Sequence, residues 1–275
     1  MGIQSFLQAN KGDPDWLYSP EEYFGKQFKL SEPNMVELKE GRKDGVVLRH
    51  NPTEKGLIAR HLKIDLRDNS SLDLTILNET TPKLQQVCLY DIHIREGATL
   101  NLGVFVKGGK LNKHIFQIEI DDGGNLSNYG YMNNNDSGDT EVIFKIYQKG
   151  AESLCTQLIA GEAGPNSQTV YQSMVHVDEG AEMSETGIEN INIITGSNGK
   201  CYSKPEIDSH NETTRMRYGS QTAFIDDSML LYLNSKGLID SVARNLILEG
   251  FKNTVFDLIP QEELQQEVRQ MFDLD

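Results

Sequence analysis

Residues 116–126 read FQIEIDDGGNL and contain one complete unit of the pattern that decides the fold. Phe116, Ile118 and Ile120 alternate with polar residues at period two, which is typical of a half-buried β-strand. A glycine turn follows, and Leu126 begins the next strand. Glycine suits such a corner because it adopts positive φ without the strain that a Cβ brings. The stretch therefore predicts a strand, a tight corner and a second strand.

The same unit recurs from about residue 35 to residue 207. Its turn positions advance by 27, 27, 26 and 30 residues, through Ser70, Gly97, Gly124, Gly150 and Gly180. A period in the high twenties with strands and no helices favours a β-solenoid, whose stacked coils bury one continuous core. An antiparallel sandwich also gives regular turns, but the repeated corner keeps one chemistry and so favours the solenoid.

Composition limits the class of function. The 275 residues carry a formal net charge of −15, which repels nucleic acid and anionic membranes. No apolar run reaches the length of a transmembrane helix, and the N-terminus lacks the features of a secretory signal. Cys88, Cys155 and Cys201 are far apart and odd in number, which suits free thiols in a reducing compartment. We expect a cytoplasmic protein that binds neither nucleic acid nor membrane, with Cys88 and Cys155 in the core.

The C-terminal fifth of the chain changes from strand to helix. Asp226 is placed to cap a first helix that ends at Gly237. Asp240 or Ser241 is placed to cap a second helix, with Gly250 as its left-handed stop.

Two further helical segments follow, a short one over 254–259 and a last one with Pro260 at its first position. The last helix carries one apolar stripe, formed by Leu264, Val268, Met271 and Phe272. Because helices this short are not stable alone, we expect those between 226 and 259 to pack on the end of the solenoid.

Three motifs in this region resemble the SufB/SufD family. They are KPEI at 204–207, LYLNSKG at 231–237 and EGF at 249–251, in the order and spacing of the family. SufB/SufD proteins are scaffold subunits of the SUF iron–sulfur cluster assembly machine, and their core is a parallel β-helix. The specific match covers roughly a third of the chain and becomes looser upstream of Pro205. The resemblance implies a short form of the family.

The resemblance also identifies positions that correspond to the family's cluster site. In SufB, a cysteine on a late strand and a His-Glu pair lie at the dimer interface; here these positions are Asn190 and Tyr218-Gly219. SufD has asparagine and His-Gly there, so Asn190 and Gly219 are SufD-like and Tyr218 departs from both. A carboxamide is a poor iron ligand and a phenol serves rarely. The resemblance thus implies a dimer interface and a transient iron–sulfur cluster as cargo, but argues against autonomous cluster building at these positions.

Three other residues are candidate metal ligands. Cys201 lies just before the KPEI motif and would ligate iron if exposed, whereas a free cysteine is often a buried apolar side chain. Asp208 and His210 project from the same face of one strand, as metal ligands would, although a polar strand face is more often simply solvated. We interpret His176 as a histidine satisfied within the sheet.

The segment with Lys236, Gly237, Leu238, Leu248 and Phe251 resembles the family's ATPase-docking segment. Residues 229–233 are consecutive and apolar, so their side chains point to all sides of the predicted helix. This fits either burial within the chain or a hydrophobic docking surface. No P-loop motif is present, so ATP hydrolysis is expected in a partner subunit. The resemblance implies a SufC-like ABC-type ATPase as that partner.

Together these patterns predict a mainly β protein. A right-handed parallel β-helix over 35–225 follows an irregular plug over 1–34 and precedes a helical segment over 226–275. The expected function is that of a non-enzymatic scaffold in iron–sulfur cluster assembly, as a homodimer or as a heterodimer with a SufB/SufD paralogue. The alternative is a β-solenoid that acts on carbohydrate or binds another ligand, a class that commonly carries a secretion signal and does not account for the C-terminal helices.

Overall fold

The computed structural model describes residues 34–52, 56–135, 137–225 and 227–274. Residues 1–33 of the predicted plug lie outside the described residues. The predicted cap Asp226 also lies outside them. Fourteen strands and three helices are present in the described ranges.

The strands form two seven-stranded parallel sheets, and each coil contributes one strand to each sheet. One sheet, here called the odd-numbered sheet, contains β1 (Asn34–Leu38), β3 (Gly56–Leu66), β5 (Leu84–Ile94), β7 (Leu111–Ile120), β9 (Asp139–Gln148), β11 (Gln168–Val177) and β13 (Lys200–Ser209). The second sheet, here called the even sheet, contains β2 (Lys43–His50), β4 (Ser71–Thr80), β6 (Thr99–Gly108), β8 (Asn125–Asn134), β10 (Leu154–Ala163), β12 (Glu185–Ile194) and β14 (Arg215–Phe224). This topology confirms the predicted parallel solenoid and excludes the antiparallel sandwich.

Side chains from successive coils stack along the core between the two sheets. Phe116 is fully buried, and its ring stacks on Tyr90 at 4.5 Å and on Phe144 at 4.7 Å between centroids. Ile118 and Ile120 are also fully buried, as their period-two spacing predicts. Each coil therefore buries one face of its strands against the coils before and after it.

The prediction that glycine provides the left-handed corners is only partly right. Gly97 and Gly123 have φ of 64° and 62°, but Glu152 and Met183 take the same conformation in later coils, with φ of 54° and 55°. Gly150 is needed for a different reason. A Cβ there would lie 2.0 Å from the backbone nitrogen of Asp122 in the preceding coil, so close packing between coils requires glycine.

The helices are α1 (Asp227–Ser235), α2 (Asp240–Phe256) and α3 (Glu262–Met271). α1 ends before Gly237, which has the predicted positive φ of 93°. The predicted cap of α2 is wrong: its N-cap is Ile239, and no side chain caps the helix. Pro260 likewise precedes the N-cap Gln261 of α3 instead of occupying its first turn.

The predicted stop at Gly250 is also wrong, because α2 continues through it and absorbs the start of the segment predicted at 254–259. Glycine inside a helix costs about 1 kcal/mol relative to alanine. Continuation of the helix buries Val255 and Phe256 completely, and burial of two such side chains contributes about 3–6 kcal/mol. The tertiary contact therefore outweighs the local preference.

α2 and α3 pack on the outer face of the even sheet, so the prediction that the C-terminal helices cover the end of the solenoid is wrong for α2. Register places Leu77, Phe105, Tyr131 and Ala160 side by side on β4, β6, β8 and β10. This row forms one apolar cluster with buried residues of the helical segment, namely Val255, Phe256, Ile259, Leu264, Val268 and Phe272. The predicted stripe of α3 is confirmed, with Leu264, Val268 and Phe272 buried.

Within the described ranges, no helix combines the length and the apolarity needed to cross a membrane.

Candidate functional site

The last coil leaves the end of the solenoid open. β13 and β14 are the terminal strands of the two sheets, so among the described residues their outer edges have no partner strand. Tyr218 and Phe224 lie in register with the core-facing Ile188 and Ile194, yet they are 66% and 69% exposed. Unpaired edges and an exposed core face are typical of a surface that binds another chain.

The three positions predicted to correspond to the family's cluster site lie at this end. Asn190 lies on β12, next to Ser220 of β14, while Tyr218 and Gly219 pair with Ile188 and Glu189. A Cβ on Gly219 would meet nothing within 4 Å. The predicted site residues therefore lie on two adjacent strands beside the open end.

None of these three residues offers a strong iron ligand in a single copy of the chain. Asn190 is fully buried; its Nδ2 donates to the carbonyl oxygen of Ile159 at 2.8 Å, and its Oδ1 accepts from Nδ2 of Asn192 at 2.6 Å. Tyr218 presents a phenol, and Gly219 has no side chain. Iron–sulfur clusters require thiolate, imidazole or carboxylate ligands, so these positions do not fit a cluster by themselves.

Cys201 begins the last strand of the odd-numbered sheet and is half-buried. Its Sγ accepts a hydrogen bond from Oγ1 of Thr169 at 3.2 Å, and burial raises the pKa of the thiol. Cys88 and Cys155 are fully buried, which confirms their predicted place in the core, and burial raises their pKa values to about 11 and about 12. Because the thiolate is the metal-binding form, Cys201 would have to lose a proton to bind iron.

Asp208 and His210 lie at the other end of β13, where they meet His176 of β11. One potential ligand atom from each of the three lies within 4.8 Å of the others. Cys201 is seven residues from Asp208 along the strand, a separation of about 23 Å. Cys201 therefore cannot share an ion with this cluster.

The contact between His176 and Asp208 was not predicted, because it depends on the register between β11 and β13 and not on a sequence motif. His176 pairs with Asp208 across a coil of 32 residues, whereas the repeat predicts 26 to 30. Only the exact coil length places the two side chains next to each other.

The expected ATPase-docking segment covers the turn between α1 and α2 and continues along α2 as far as Phe251. Lys236 and Gly237 are exposed, while Leu238, Leu248 and Phe251 are half-buried. Phe251 packs edge-on against Tyr131, with ring centroids 6.3 Å apart, so it belongs to the helix–sheet contact.

Other apolar side chains of the same segment are exposed, and the sequence left their burial open. They form what we call the α1–α2 surface, which consists of Met229, Leu231, Tyr232, Ile239, Val242 and Leu246. Leu231 and Tyr232 are 72% and 61% exposed. Within the part of the chain that the structure describes, burial therefore accounts for Leu230 but not for Met229, Leu231 or Tyr232.

A groove of about 1060 Å³ runs along the outer face of the even sheet beside the linker between α2 and α3. Its floor includes Asn101, Tyr129 and Arg217, and Glu267 of α3 lies on its wall. Arg49 makes a two-pronged contact with Glu267, with both nitrogen–oxygen distances at 2.6 Å. The groove follows from the packing of α3 on the sheet and was not predicted.

Comparison with known proteins identifies the family. Residues 24–251 match the family model described as SUF system FeS cluster assembly, SufBD core domain. The chain belongs to the SufBD family. This confirms the resemblance seen in the three C-terminal motifs, and membership supports a role in iron–sulfur cluster assembly.

Curated SufBD relatives match the chain at low identity. The iron–sulfur cluster assembly protein SufD of Escherichia coli is 21% identical over 210 residues, which are 74% of this chain and 49% of that protein. A SufBD family protein of Synechocystis is 28% identical over 104 residues, or 38% of this chain and 23% of that protein. A chloroplastic SufBD family protein of Arabidopsis thaliana is 23% identical over 158 residues, or 57% and 28%. The chain thus spans less than half the length of these relatives.

Proposed function

We propose that this chain is a scaffold subunit of a SUF-type iron–sulfur cluster assembly complex that works with an ABC-type ATPase. The observation that carries the proposal is the SufBD core match over residues 24–251. Two exposed apolar surfaces support the proposal, because each is suited to binding another protein. They are the open end of the solenoid and the α1–α2 surface. The chain acts as a structural component, with ATP hydrolysis in the partner.

The open end serves for pairing with a second copy or with a SufB/SufD paralogue. Pairing would satisfy the free backbone groups of β13 and β14 and would bury Met216, Tyr218 and Phe224. Asn190, Tyr218 and Gly219 do not supply cluster ligands, and a second copy would bring the same three residues. A cluster carried at this interface would therefore require ligands from a SufB/SufD paralogue.

The α1–α2 surface serves for docking of the ATPase. On α1, Leu230 is buried, while its neighbours Met229 and Leu231 are exposed. An exposed apolar surface on a short helix is unfavourable in water unless another protein covers it. Lys236 lies at the edge of this surface, with Nζ 5.4 Å from the ring centroid of Tyr232.

Family membership favours this role over the alternative of a carbohydrate-active solenoid. Such a protein would share the solenoid fold and a groove like the one on the even sheet. Two carboxylates of this groove already have partners, since Asp73 accepts a hydrogen bond from Asn101 at 2.7 Å and Glu267 is held by Arg49.

Co-purification with a SUF-type ABC ATPase from the same genome tests the docking proposal. Leu231→Glu combined with Val242→Glu places two charges on the α1–α2 surface and should abolish retention of the ATPase. Met35→Glu is the matched control, because Met35 is 74% exposed on β1 at the opposite end of the solenoid. Circular dichroism and thermal unfolding would establish that each variant is folded. Full retention of the ATPase by the folded double variant would show that docking lies elsewhere.

A further inference from the structure

His176 lies between two carboxylates at the edge of the last coils. Its Nδ1 is 3.0 Å from Oδ2 of Asp208, and its Nε2 is 3.0 Å from Oδ1 of Asp178. Nε2 of His210 is 3.5 Å from the same Oδ2 of Asp208. Two imidazoles thus converge on one carboxylate oxygen, and a second carboxylate holds the far side of one ring.

A neutral imidazole has one N–H donor and one lone pair. If Nε2 of His176 donates to Asp178, the lone pair on Nδ1 faces a carboxylate oxygen of Asp208 at hydrogen-bond distance. That contact is repulsive unless a positive charge lies between the two atoms. Either a second proton on His176 or a metal ion bound by both atoms would provide this charge.

The two distances from Asp208 to the imidazole nitrogens fit a metal ion. Bonds of 2.0–2.2 Å from zinc to nitrogen and oxygen ligands, in tetrahedral geometry, place neighbouring ligand atoms about 3.4 Å apart. The distances of 3.0 and 3.5 Å from Asp208 to the two imidazoles lie on either side of this value. All three potential ligand atoms lie within 4.8 Å of one another, and the exposed side of the cluster leaves room for water as a fourth ligand.

Asp178 is positioned like the carboxylates that orient metal-binding histidines in other proteins. A histidine that binds a metal through one nitrogen usually donates its other N–H to a carboxylate, which fixes the tautomer and the ring orientation. The ring of Tyr147 lies beside that of His176, with centroids 6.1 Å apart, and restricts its rotation further. His176 is thereby oriented with Nδ1 towards Asp208 and His210.

Other histidines on the same sheet provide an internal comparison. His93 contacts Asp121 at 2.8 Å and His61 contacts Asp91 at 2.8 Å. Each pair involves one imidazole, and neither belongs to a cluster like that of His176 within the described residues. His93 occupies the same outer row of the sheet as His176 and Asp208. The convergence at His176 is therefore not a general property of this face.

We propose that His176, Asp208 and His210 bind a divalent first-row transition-metal ion, with Asp178 as the residue that positions His176. Two imidazole nitrogens and one carboxylate oxygen are typical ligands for Zn²⁺ and for non-haem Fe²⁺. The site lies on the odd-numbered sheet and does not involve Asn190, Tyr218 or Gly219. It stands independently of the proposed scaffold function.

Calorimetric titration of the tag-free protein tests the site, with ZnCl₂ in one arm and anaerobic ferrous sulfate in the other. The expected result is one ion per chain, with at least about tenfold weaker binding for His176→Gln and for His210→Gln. Asp178→Asn should weaken binding by about 10–100-fold while leaving the stoichiometry at one, as loss of a supporting hydrogen bond does. The arm with the higher affinity identifies the preferred metal.

His93→Gln is the matched control and should bind the metal as the wild type does. Absorption of Co²⁺ in the visible region gives a second readout, because its intensity reports a low-coordinate site and should be lost in His210→Gln. No binding by the wild-type protein would show that the cluster is not a metal site. Equal binding by wild type, His176→Gln and His210→Gln would show adventitious surface binding. Either result would overturn the proposal.

Discussion

His114 shows how burial inside the solenoid changes the pKa of a titratable side chain. It is fully buried, with Nδ1 at 3.3 Å from the hydroxyl of Tyr90 and Nε2 at 3.1 Å from Oδ1 of Asn112. A neutral ring satisfies both contacts, since it accepts from the hydroxyl and donates to the amide. Burial, with a smaller effect of His50, lowers the pKa of His114 from 6.5 to about 3.

This pKa shift predicts that acid destabilises the fold through His114. Between pH 6.5 and about 3 the unfolded chain binds a proton that the folded chain does not, so the free energy of unfolding falls as the pH falls. The loss reaches about 1.4 kcal/mol per pH unit once the pH is well below 6.5. Urea unfolding of the wild type and of His114→Gln at several pH values from about 7 to about 4 would measure it.

Carboxylates and other histidines titrate in both proteins, so their effects cancel in the difference between the two unfolding free energies. The stability advantage of the wild type over His114→Gln should therefore shrink as the pH falls. A difference that stays constant over this range would contradict a depressed pKa at His114.

At the scale of the strand, glycine marks places where neighbouring coils come close. A Cβ on Gly130 of β8 would lie 2.2 Å from the carbonyl oxygen of Val104 in the preceding coil. A Cβ on Gly45 of β2 would meet nothing within 4 Å. Neither residue has positive φ, so the two differ in packing and not in backbone strain.

We therefore expect Gly130→Ala to lower the free energy of unfolding by about 1–3 kcal/mol, as overpacking does. Gly45→Ala should change it by less than about 0.5 kcal/mol. Chemical denaturation of the two variants measures both values. Equal destabilisation would show that loss of glycine in a strand, and not contact between coils, sets the cost.

The elements differ in how far the sequence predicts them. Period-two alternation at Phe116, Ile118 and Ile120 depends on one coil alone, so the strands were predicted correctly, whereas the glycine corners were predicted only in part. The outer row that binds α2 and α3 joins residues such as Phe105 and Tyr131 from separate coils. It becomes one apolar surface only when the coil lengths set the register. For the same reason neither the extension of α2 past Gly250 nor the pairing of His176 with Asp208 was predicted.

At the scale of the whole molecule, the outer face of the even sheet is covered by helices, whereas the end of the solenoid is exposed. The even sheet is covered over its middle strands by α2 and α3, with Val255, Phe256 and Val268 fully buried. At the open end, Met216, Tyr218 and Phe224 continue the core-facing pattern of β12 but remain exposed. A core that continues to the last strand without a cap is suited to extension by another solenoid, and a single copy leaves it exposed to water.

Tyr218→Asp tests whether this end forms the dimer interface. In a dimer the substitution would place an unpaired charge where an aromatic side chain is buried, which costs several kcal/mol. Analytical ultracentrifugation over a range of concentrations should show a dimer for the wild type and a shift to monomer for Tyr218→Asp. Met35→Asp is the control, because Met35 is 74% exposed on β1 at the opposite end of the solenoid and should leave the dimer intact. If the wild type is monomeric, the same comparison applies to its complex with a SufB/SufD paralogue. Unchanged sedimentation of Tyr218→Asp in both settings would exclude the open end as the interface, and the exposed core face of β14 would then need another partner.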